Sequence, residues 1–163
     1  MKPALFVIDI QNAYFEPASQ ASLNEAIEYI NAAIDIFRKK SLPIISIQHM
    51  DRENGHIPGS HGFDLPESLK IKADDLHIHK EYSNAFCKTH LEEELKKISV
   101  DTVILTGFRA EYCVLSTYRG AKDLDLTPIL LRNSLASPSA RNIRFVESIS
   151  DVVSLGALEK VLS

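Results

Sequence analysis

The sequence predicts a three-layer α/β/α protein, in which helices cover both faces of a mainly parallel, doubly wound sheet. Short runs of apolar and β-branched residues alternate along the chain with amphipathic segments of helical spacing. The strand-like runs are apolar at successive positions, which is typical of parallel strands buried on both faces. The chain has 163 residues, enough for one hydrophobic core, so we expect residues 1–163 to form a single domain.

The first part of the chain predicts a strand, a helix and a second strand. The run from Ala4 to Ile8 predicts a buried strand. Ser22 and Glu25 have the spacing of a capping box, with Ser22 at the N-cap of the helix that follows. A second strand is expected at residues 43–47. One face of the helix should be buried, because apolar residues recur at helical spacing at Leu23, Ile27, Ile30, Ile34 and Phe37.

The middle of the chain predicts a long loop followed by a short strand and a capped helix. Residues 49–66 are rich in Gly, His and Asp, which favours a loop. Residues 76–79 predict a short strand. Thr89 and Glu92 have the spacing of a second capping box, which would open a helix that continues through Ile98.

The last part of the chain continues the alternation. The β-branched run at residues 102–106 predicts a strand that Gly107 ends, and a helix is expected to begin near Cys113. The remaining elements are expected as a strand at 127–131, a helix at about 140–149, a short strand at 152–153 and a short helix from about 155.

Charge and composition narrow the classes of partner. The net charge of −4 disfavours nucleic acid and anionic membrane surfaces, and no apolar run has the length of a membrane helix. The apolar run at residues 4–8 is too short for a signal peptide, so we expect a cytoplasmic protein. In that reducing compartment Cys87 and Cys113 should be free thiols. A small-molecule substrate is the expected partner.

Three reactive residues lie just beyond predicted strand ends: Asp9, Lys80 and Cys113. Ligands of such sheets bind beyond the carboxyl ends of the strands, so we expect the three side chains to share one crevice. A helix N-terminus and the Lys80 cation would lower the pKa of the Cys113 thiol and make it a nucleophile. Asp9 would then move the proton.

Each of the three residues also has a purely structural interpretation. A free cysteine is often a small buried apolar residue, an Asp after a strand is often a turn residue, and Lys80 could be a surface lysine. Three complementary residue types at three strand ends favour the chemical interpretation. Cys87 has no such placement and is interpreted as a packing residue.

Three blocks of the sequence resemble motifs of the isochorismatase-like cysteine hydrolases, within the isochorismatase/nicotinamidase superfamily. Residues 6–12, Phe-Val-Ile-Asp-Ile-Gln-Asn, resemble the opening Val-x-Asp-x-Gln motif. Residues 80–86 resemble the lysine motif, Lys-x-x-x-Ser-Ala-Phe. Residues 103–107 with 113–117 resemble the strand-Gly-x5-Cys-Val-x-x-Thr block. The blocks occur in family order and span most of the chain.

The resemblance implies a six-stranded parallel sheet and a catalytic triad of Asp9, Lys80 and Cys113. It implies hydrolysis of a C–N bond in a small amide or imide through a thioester on Cys113, without a cofactor. It also implies a cis peptide bond between Phe108 and Arg109, and an oxyanion hole made by the N–H groups of Arg109 and Cys113. A homo-oligomer is expected by the same resemblance.

Further residues are candidates for binding the substrate or a metal. We name as candidate substrate-binding residues Gln11, Tyr14, Phe15, His49, Tyr82 and Tyr112. Arg109 and Tyr112, beside the nucleophile, occupy variable positions that could select the substrate. No metal is expected, although the loop after the second strand contains four weak candidates, namely His49, Asp51, His56 and His61.

Three other functions stay open at this stage. One is isochorismatase-type hydrolysis of a vinyl ether, which does not need the nucleophile in the same way. The second is a binding or scaffold protein that keeps the fold without catalysis. The third is a redox sensor that uses Cys113 as a low-pKa thiol, although no second cysteine lies near it in sequence.

Overall fold

The computed structural model describes residues 1–163 and contains one six-stranded sheet in which all paired strands are parallel. The strand order is β3-β2-β1-β4-β5-β6. The strands are β1 (Pro3–Ile8), β2 (Ile44–His49), β3 (Leu76–Lys80), β4 (Thr102–Phe108), β5 (Thr127–Ala136) and β6 (Val152–Val153). The predicted fold class, a doubly wound parallel α/β sheet of six strands, is therefore confirmed.

Five α-helices cover the sheet: α1 (Gln20–Lys39), α2 (Leu91–Lys97), α3 (Leu115–Asp123), α4 (Ala140–Ser148) and α5 (Leu155–Val161). Helices α1 and α5 pack on one face, and α2, α3 and α4 pack on the other. Side chains of strand β1 pack on both faces of the sheet, because Phe6 and Ile8 belong to one apolar cluster while Leu5 and Val7 belong to the other. None of the helices combines the length and apolar character needed to span a bilayer.

The helices begin at positions different from those that the capping boxes predicted. Helix α1 begins at Gln20, so Ser22 lies inside its first turn, where its hydroxyl accepts a hydrogen bond from the Ser137 N–H at 3.1 Å. Helix α2 begins at Leu91, and the Thr89 hydroxyl donates to a backbone carbonyl in the preceding loop. The Thr89 hydroxyl also accepts from the Leu91 N–H at 3.3 Å, so it still contacts the start of α2, whereas the partner of Ser22 lies far away in sequence.

Four strands, β2 to β5, end later than predicted, and the extensions of β4 and β5 change the path of the chain most. Strand β4 continues through Gly107 to Phe108, and β5 runs past Leu131 to Ala136. Gly107 has φ +124°, and a Cβ atom there would collide with the Ile8 carbonyl oxygen of β1. Glycine thus lets the strand pass through a conformation and a contact that other residues would not tolerate.

The strand order changes direction between β1 and β4. From β1 the chain moves outward through β2 and β3, and it then returns to the other side of β1 with β4. The crossover connections therefore diverge at the carboxyl ends of β1 and β4, which leaves a crevice there. This crevice contains the candidate site.

Candidate active site

A buried lysine connects the three residues that the sequence singled out. Lys80 is the last residue of β3, and only 1% of it is exposed. Its Nζ donates to Asp9 Oδ2 at 2.9 Å and to Cys113 Sγ at 3.4 Å. The structure therefore brings Asp9, Lys80 and Cys113 together at the carboxyl ends of the strands.

The length of the lysine side chain makes this convergence possible. Strand β2 lies between β3, which holds Lys80, and β1, which precedes Asp9. Two strand spacings amount to roughly 10 Å, which a short side chain does not cross. Lys80 extends across the end of β2 to reach Asp9, so both its aliphatic stem and its ammonium group are buried.

His49, the last residue of β2, provides the third contact of the ammonium group. Lys80 Nζ lies 3.0 Å from His49 Nδ1. Because an ammonium group only donates, Nδ1 must accept, and the neutral ring carries its proton on Nε2. Burial and the positive charge of Lys80 lower the pKa of His49, which favours this neutral form. The three ammonium protons thus have one acceptor each.

Asp9 is held by its backbone in an unusual conformation. Its φ is +53°, and its N–H donates to the Ile47 carbonyl at 2.8 Å. Asp tolerates this left-handed region better than most residues. Oδ2 accepts from Lys80, whereas the buried Oδ1 has no hydrogen-bond partner in the protein. Oδ1 is consequently free to accept a proton or a hydrogen bond from a bound molecule.

Cys113 lies in a π-helical turn, Ala110–Val114, and not at the start of an α-helix as the sequence suggested. Burial raises the pKa of the Cys113 thiol to about 12; the charge of Asp9 adds to this effect and Lys80 opposes it. The sequence argument included the cation but not the burial or the adjacent carboxylate. One buried cation balances one anion, so a thiolate beside an ionised Asp9 would leave an uncompensated buried charge.

A cavity of about 260 Å³ opens above these groups. Tyr14 forms part of its wall, and its ring stacks on that of Phe108 with centroids 4.9 Å apart. Burial and the charge of Asp9 raise the pKa of Tyr14, so its hydroxyl stays protonated. Tyr112 stands at the opening and is 57% exposed. The lining residues are Asp9, Tyr14, Glu16, Ser19, His49, Ser83, Phe108, Arg109, Tyr112 and Cys113.

Three of the candidate substrate-binding residues lie outside this cavity. The Gln11 amide is fully buried and bonds both the N–H and the C=O of His49, at 2.8 and 3.0 Å. Gln11 therefore positions His49. Phe15 packs on the apolar cluster beneath α1. Tyr82 is exposed and lies over Lys88, in a separate surface depression that also contains Cys87.

Three residues of the cavity wall were not predicted from the sequence: Glu16, Ser19 and Ser83. Ser83 lies within the block quoted for Lys80, so its position in that motif could have indicated it. Ser19 is the N-cap residue of α1, and its hydroxyl donates to the Tyr14 carbonyl at 2.6 Å. Nothing in the local pattern distinguishes Glu16 from other charged loop residues.

The peptide bond between Phe108 and Arg109 is cis, and it joins β4 to the turn that carries Cys113. The N–H of Arg109 makes no hydrogen bond within the protein. It is available to a ligand in the cavity that Arg109 helps to line.

One group of side chains has metal-ligand geometry. Possible ligand atoms of Asp9, His49 and Cys113 lie within 4.8 Å of one another. The Lys80 ammonium already contacts all three, so a metal ion there would have to displace it. Of the four weak candidates in the loop, only His49 belongs to this group; Asp51 instead bonds Asn54, with its carboxylate oxygen 2.6 Å from Nδ2.

Comparisons with known proteins identify relatives of this chain. The sequence model of the isochorismatase domain matches residues 3–147. YrdC, an uncharacterized isochorismatase family protein of Bacillus subtilis (strain 168), is 29% identical over 144 residues, covering 86% of this chain and 77% of that protein. Nicotinamidase 3 of Arabidopsis thaliana is 29% identical over 133 residues, covering 72% of this chain and 65% of that protein.

Solved structures share the fold along the whole chain. An isochorismatase-like hydrolase from Alkaliphilus metalliredigens has a TM-score of 0.91 to this structure, with all of both chains covered and 23% of residues identical. At this level of identity the likeness establishes a common architecture, including the six-stranded parallel sheet.

Proposed function

Because this chain belongs to the isochorismatase family of hydrolases, we propose that it hydrolyses the C–N bond of a small amide or imide through a thioester on Cys113. The observation that carries the proposal is the position of the buried Lys80 Nζ, which donates to both Asp9 and Cys113, two residues that line the cavity. An acid, a cation and a thiol in contact provide a proton acceptor, a charge balance and a nucleophile.

The first half of the proposed reaction forms the thioester. Cys113 Sγ attacks the carbonyl carbon of the substrate while its proton moves to the Asp9 carboxylate. This coupled transfer suits a thiol whose pKa is raised to about 12, because no free thiolate has to accumulate beside the carboxylate. The oxyanion of the tetrahedral intermediate would accept hydrogen bonds from the N–H groups of Arg109 and Cys113.

The intermediate then collapses and the C–N bond breaks. Asp9, now protonated, gives its proton to the leaving nitrogen, which departs as ammonia or an amine. In the second half of the reaction, Asp9 takes a proton from water as the water attacks the thioester. The C–S bond breaks, the acid product leaves, and Cys113 recovers its proton from Asp9.

Two further observations support an amide substrate. The buried Asp9 Oδ1, which has no partner in the protein, can accept a hydrogen bond from the N–H of an amide. One relative of the chain is named a nicotinamidase. A vinyl ether has no N–H to offer this oxygen, so the isochorismatase-type alternative uses less of the site.

A trapping experiment tests the covalent step. A panel of small primary amides and cyclic imides would be incubated with the enzyme, with and without hydroxylamine. We expect hydrolysis of at least one compound, and diversion of part of its acyl group to a hydroxamate, because hydroxylamine competes with water for a thioester. Hydrolysis without any hydroxamate would contradict the thioester, and turnover of vinyl ethers alone would replace the amide proposal.

A further inference from the structure

The Arg109 side chain carries an inference about the class of substrate. We infer that Arg109 is an anion-binding residue, and that the amide or imide which reacts at Cys113 also carries a carboxylate. This inference rests on the proposed function and adds that the substrate must carry a negative charge where it can reach Arg109. Its physical basis is a guanidinium group that lies close to one carboxylate, on a residue that lines the cavity, with terminal donors that make no hydrogen bond to the protein.

The protein holds the guanidinium group in place before any ligand binds. Arg109 Nε lies 3.4 Å from Glu111 Oε1, and that carboxylate in turn accepts from the Ser137 hydroxyl at 3.1 Å. The guanidinium carbon lies 5.6 Å from the ring centroid of Phe108 and 5.5 Å from that of Tyr112. A side chain oriented by two rings and an acid loses little conformational freedom on binding a ligand.

The terminal donors of Arg109 are available. Neither Nη group makes a hydrogen bond to the protein, and the side chain is 40% exposed. Nε is buried and pairs with Glu111 by charge without a hydrogen bond, so the edge formed by the two Nη groups is the part of the guanidinium left for a ligand. That edge matches the two oxygens of a carboxylate, which accepts a pair of parallel hydrogen bonds from it.

Among the positively charged groups near the cavity, Arg109 is the one with donors available to bind an anion. The ammonium protons of Lys80 are all used by Asp9, His49 and Cys113. Glu16 also lines the cavity, but it is exposed and nothing fixes its carboxylate, so its field is screened by water. A carboxylate on the substrate would therefore form its hydrogen-bonded ion pair with Arg109.

Alkylation with two reagents of nearly equal size tests the inference without requiring turnover. Iodoacetate carries a carboxylate and iodoacetamide carries a neutral amide, and both alkylate a thiolate, whose sulfur displaces iodide from the reagent. The protein would be exposed to an equimolar mixture, and the two products would be quantified at Cys113 and at Cys87 by mass spectrometry. Cys87 lies in a different depression and serves as the internal reference.

Variants distinguish the effect of the Arg109 charge on alkylation from that of the Lys80 charge, because Lys80 is present in every protein compared. Arg109→Gln removes the charge, Arg109→Lys keeps it, and Arg119→Gln makes the same charge change at an exposed position on α3. Because both reagents react with the same thiolate, their ratio does not depend on the pKa of Cys113. We expect iodoacetate to be favoured at Cys113 relative to Cys87, and this preference to fall about fivefold in Arg109→Gln.

The preference should be largely retained in Arg109→Lys and unchanged in Arg119→Gln. Equal ratios at Cys113 and Cys87 in the unmodified protein would overturn the inference, as would a preference that survives in Arg109→Gln. Either result would leave the thioester mechanism untouched, because that mechanism is tested by hydroxamate formation and this one by alkylation of the resting enzyme.

Discussion

At Lys80 a single buried ammonium group contacts two acidic side chains, Asp9 and Cys113. From sequence, a helix N-terminus and the nearby cation together predicted a low thiol pKa. With the carboxylate included, the cation balances one negative charge, and burial together with Asp9 raises the pKa of the thiol, which keeps its proton. The thiol then loses its proton chiefly when a substrate is attacked. This arrangement makes Asp9 a direct participant in the proposed reaction as well as a partner of Lys80.

Replacing Asp9 with Asn should separate thiol reactivity from turnover. The charge of Asp9 raises the pKa of Cys113, so its removal should lower that pKa and speed alkylation by iodoacetamide near pH 9. Turnover should nevertheless fall by about 10²-fold or more, because no group accepts the thiol proton. Asp123→Asn, an exposed change of equal charge, is the control. An unchanged or slower alkylation profile in Asp9→Asn would contradict this account.

His49 should titrate below the ordinary range of a histidine. Burial and Lys80 lower the pKa of His49, so its NMR titration midpoint should lie below 6.5. As the pH falls, His49 is protonated in the unfolded chain before it is protonated in the folded protein. The free energy of unfolding should therefore decrease from about pH 6.5 down through the folded pKa of His49. A midpoint at or above 6.5 would show that His49 Nδ1 does not accept a hydrogen bond from the Lys80 ammonium group.

The sequence predicted the residues at strand ends better than those around them. Asp9, Lys80 and Cys113 were identifiable because each follows or ends an apolar run, and parallel strands bring such positions together. Gln11 and Tyr82 were misassigned to the substrate cavity because side-chain direction in a loop has no period to indicate it. Their placement depends on tertiary hydrogen bonds and packing.

Among the elements, β4 depends most visibly on one residue. Gly107 combines φ +124° with close contact to the Ile8 carbonyl of β1. This contact lies at the carboxyl ends of the two strands where the strand order changes direction, and the next residue along the chain in each case, Asp9 or Phe108, lines the cavity. The shape of the crevice therefore depends on the absence of a side chain at Gly107.

Gly107→Ala should destabilise the protein by about 2 kcal/mol or more, because its methyl group meets rigid backbone and its φ is strained. Gly156→Ala is a matched control: it lies in α5, has no positive φ and has open space around it. Its effect should stay within about 1 kcal/mol and favour stability. Urea unfolding of both variants measures the difference, and equal stabilities would refute the role of Gly107.

The type and order of the elements were predictable from sequence, whereas their ends were not. The apolar runs that became β1, β2 and β4 are buried on both faces, so local composition was sufficient to indicate them. Strand β5 continues past Leu131 through a polar stretch, Arg132 to Ser134, that gives no strand signal. The π-helical turn at Cys113 has no local signature either, since it arises from how the chain leaves β4.

At the scale of the whole molecule, one sheet supports both apolar clusters and the cavity. Successive residues of β1, β2 and β4 alternate between the two clusters, so the same strands contribute to the core on both faces of the sheet. We propose on this ground that residues 1–163 form a single domain. The cavity draws its reactive groups from three strands, and its geometry therefore depends on the integrity of the entire sheet.

The assembly state is expected to be a homo-oligomer, as the resemblance to the family implied. Tyr112, at the cavity opening, exposes 57% of its surface in the single chain, and an adjoining subunit would be one way to cover it. Size-exclusion chromatography with light scattering should give a mass that is two or more times the chain mass, in whole multiples. A mass equal to one chain across the concentration range would contradict the expectation.

The central claim is that Cys113 is the nucleophile, and one comparison of variants tests it most directly. On an amide that the enzyme hydrolyses, kcat/KM would be measured for Cys113→Ala and for the matched variant Cys87→Ala, after circular dichroism shows that both are folded. The account predicts that Cys113→Ala loses at least about 10³-fold while Cys87→Ala stays near the unmodified enzyme. Near-normal hydrolysis by Cys113→Ala would contradict the claim.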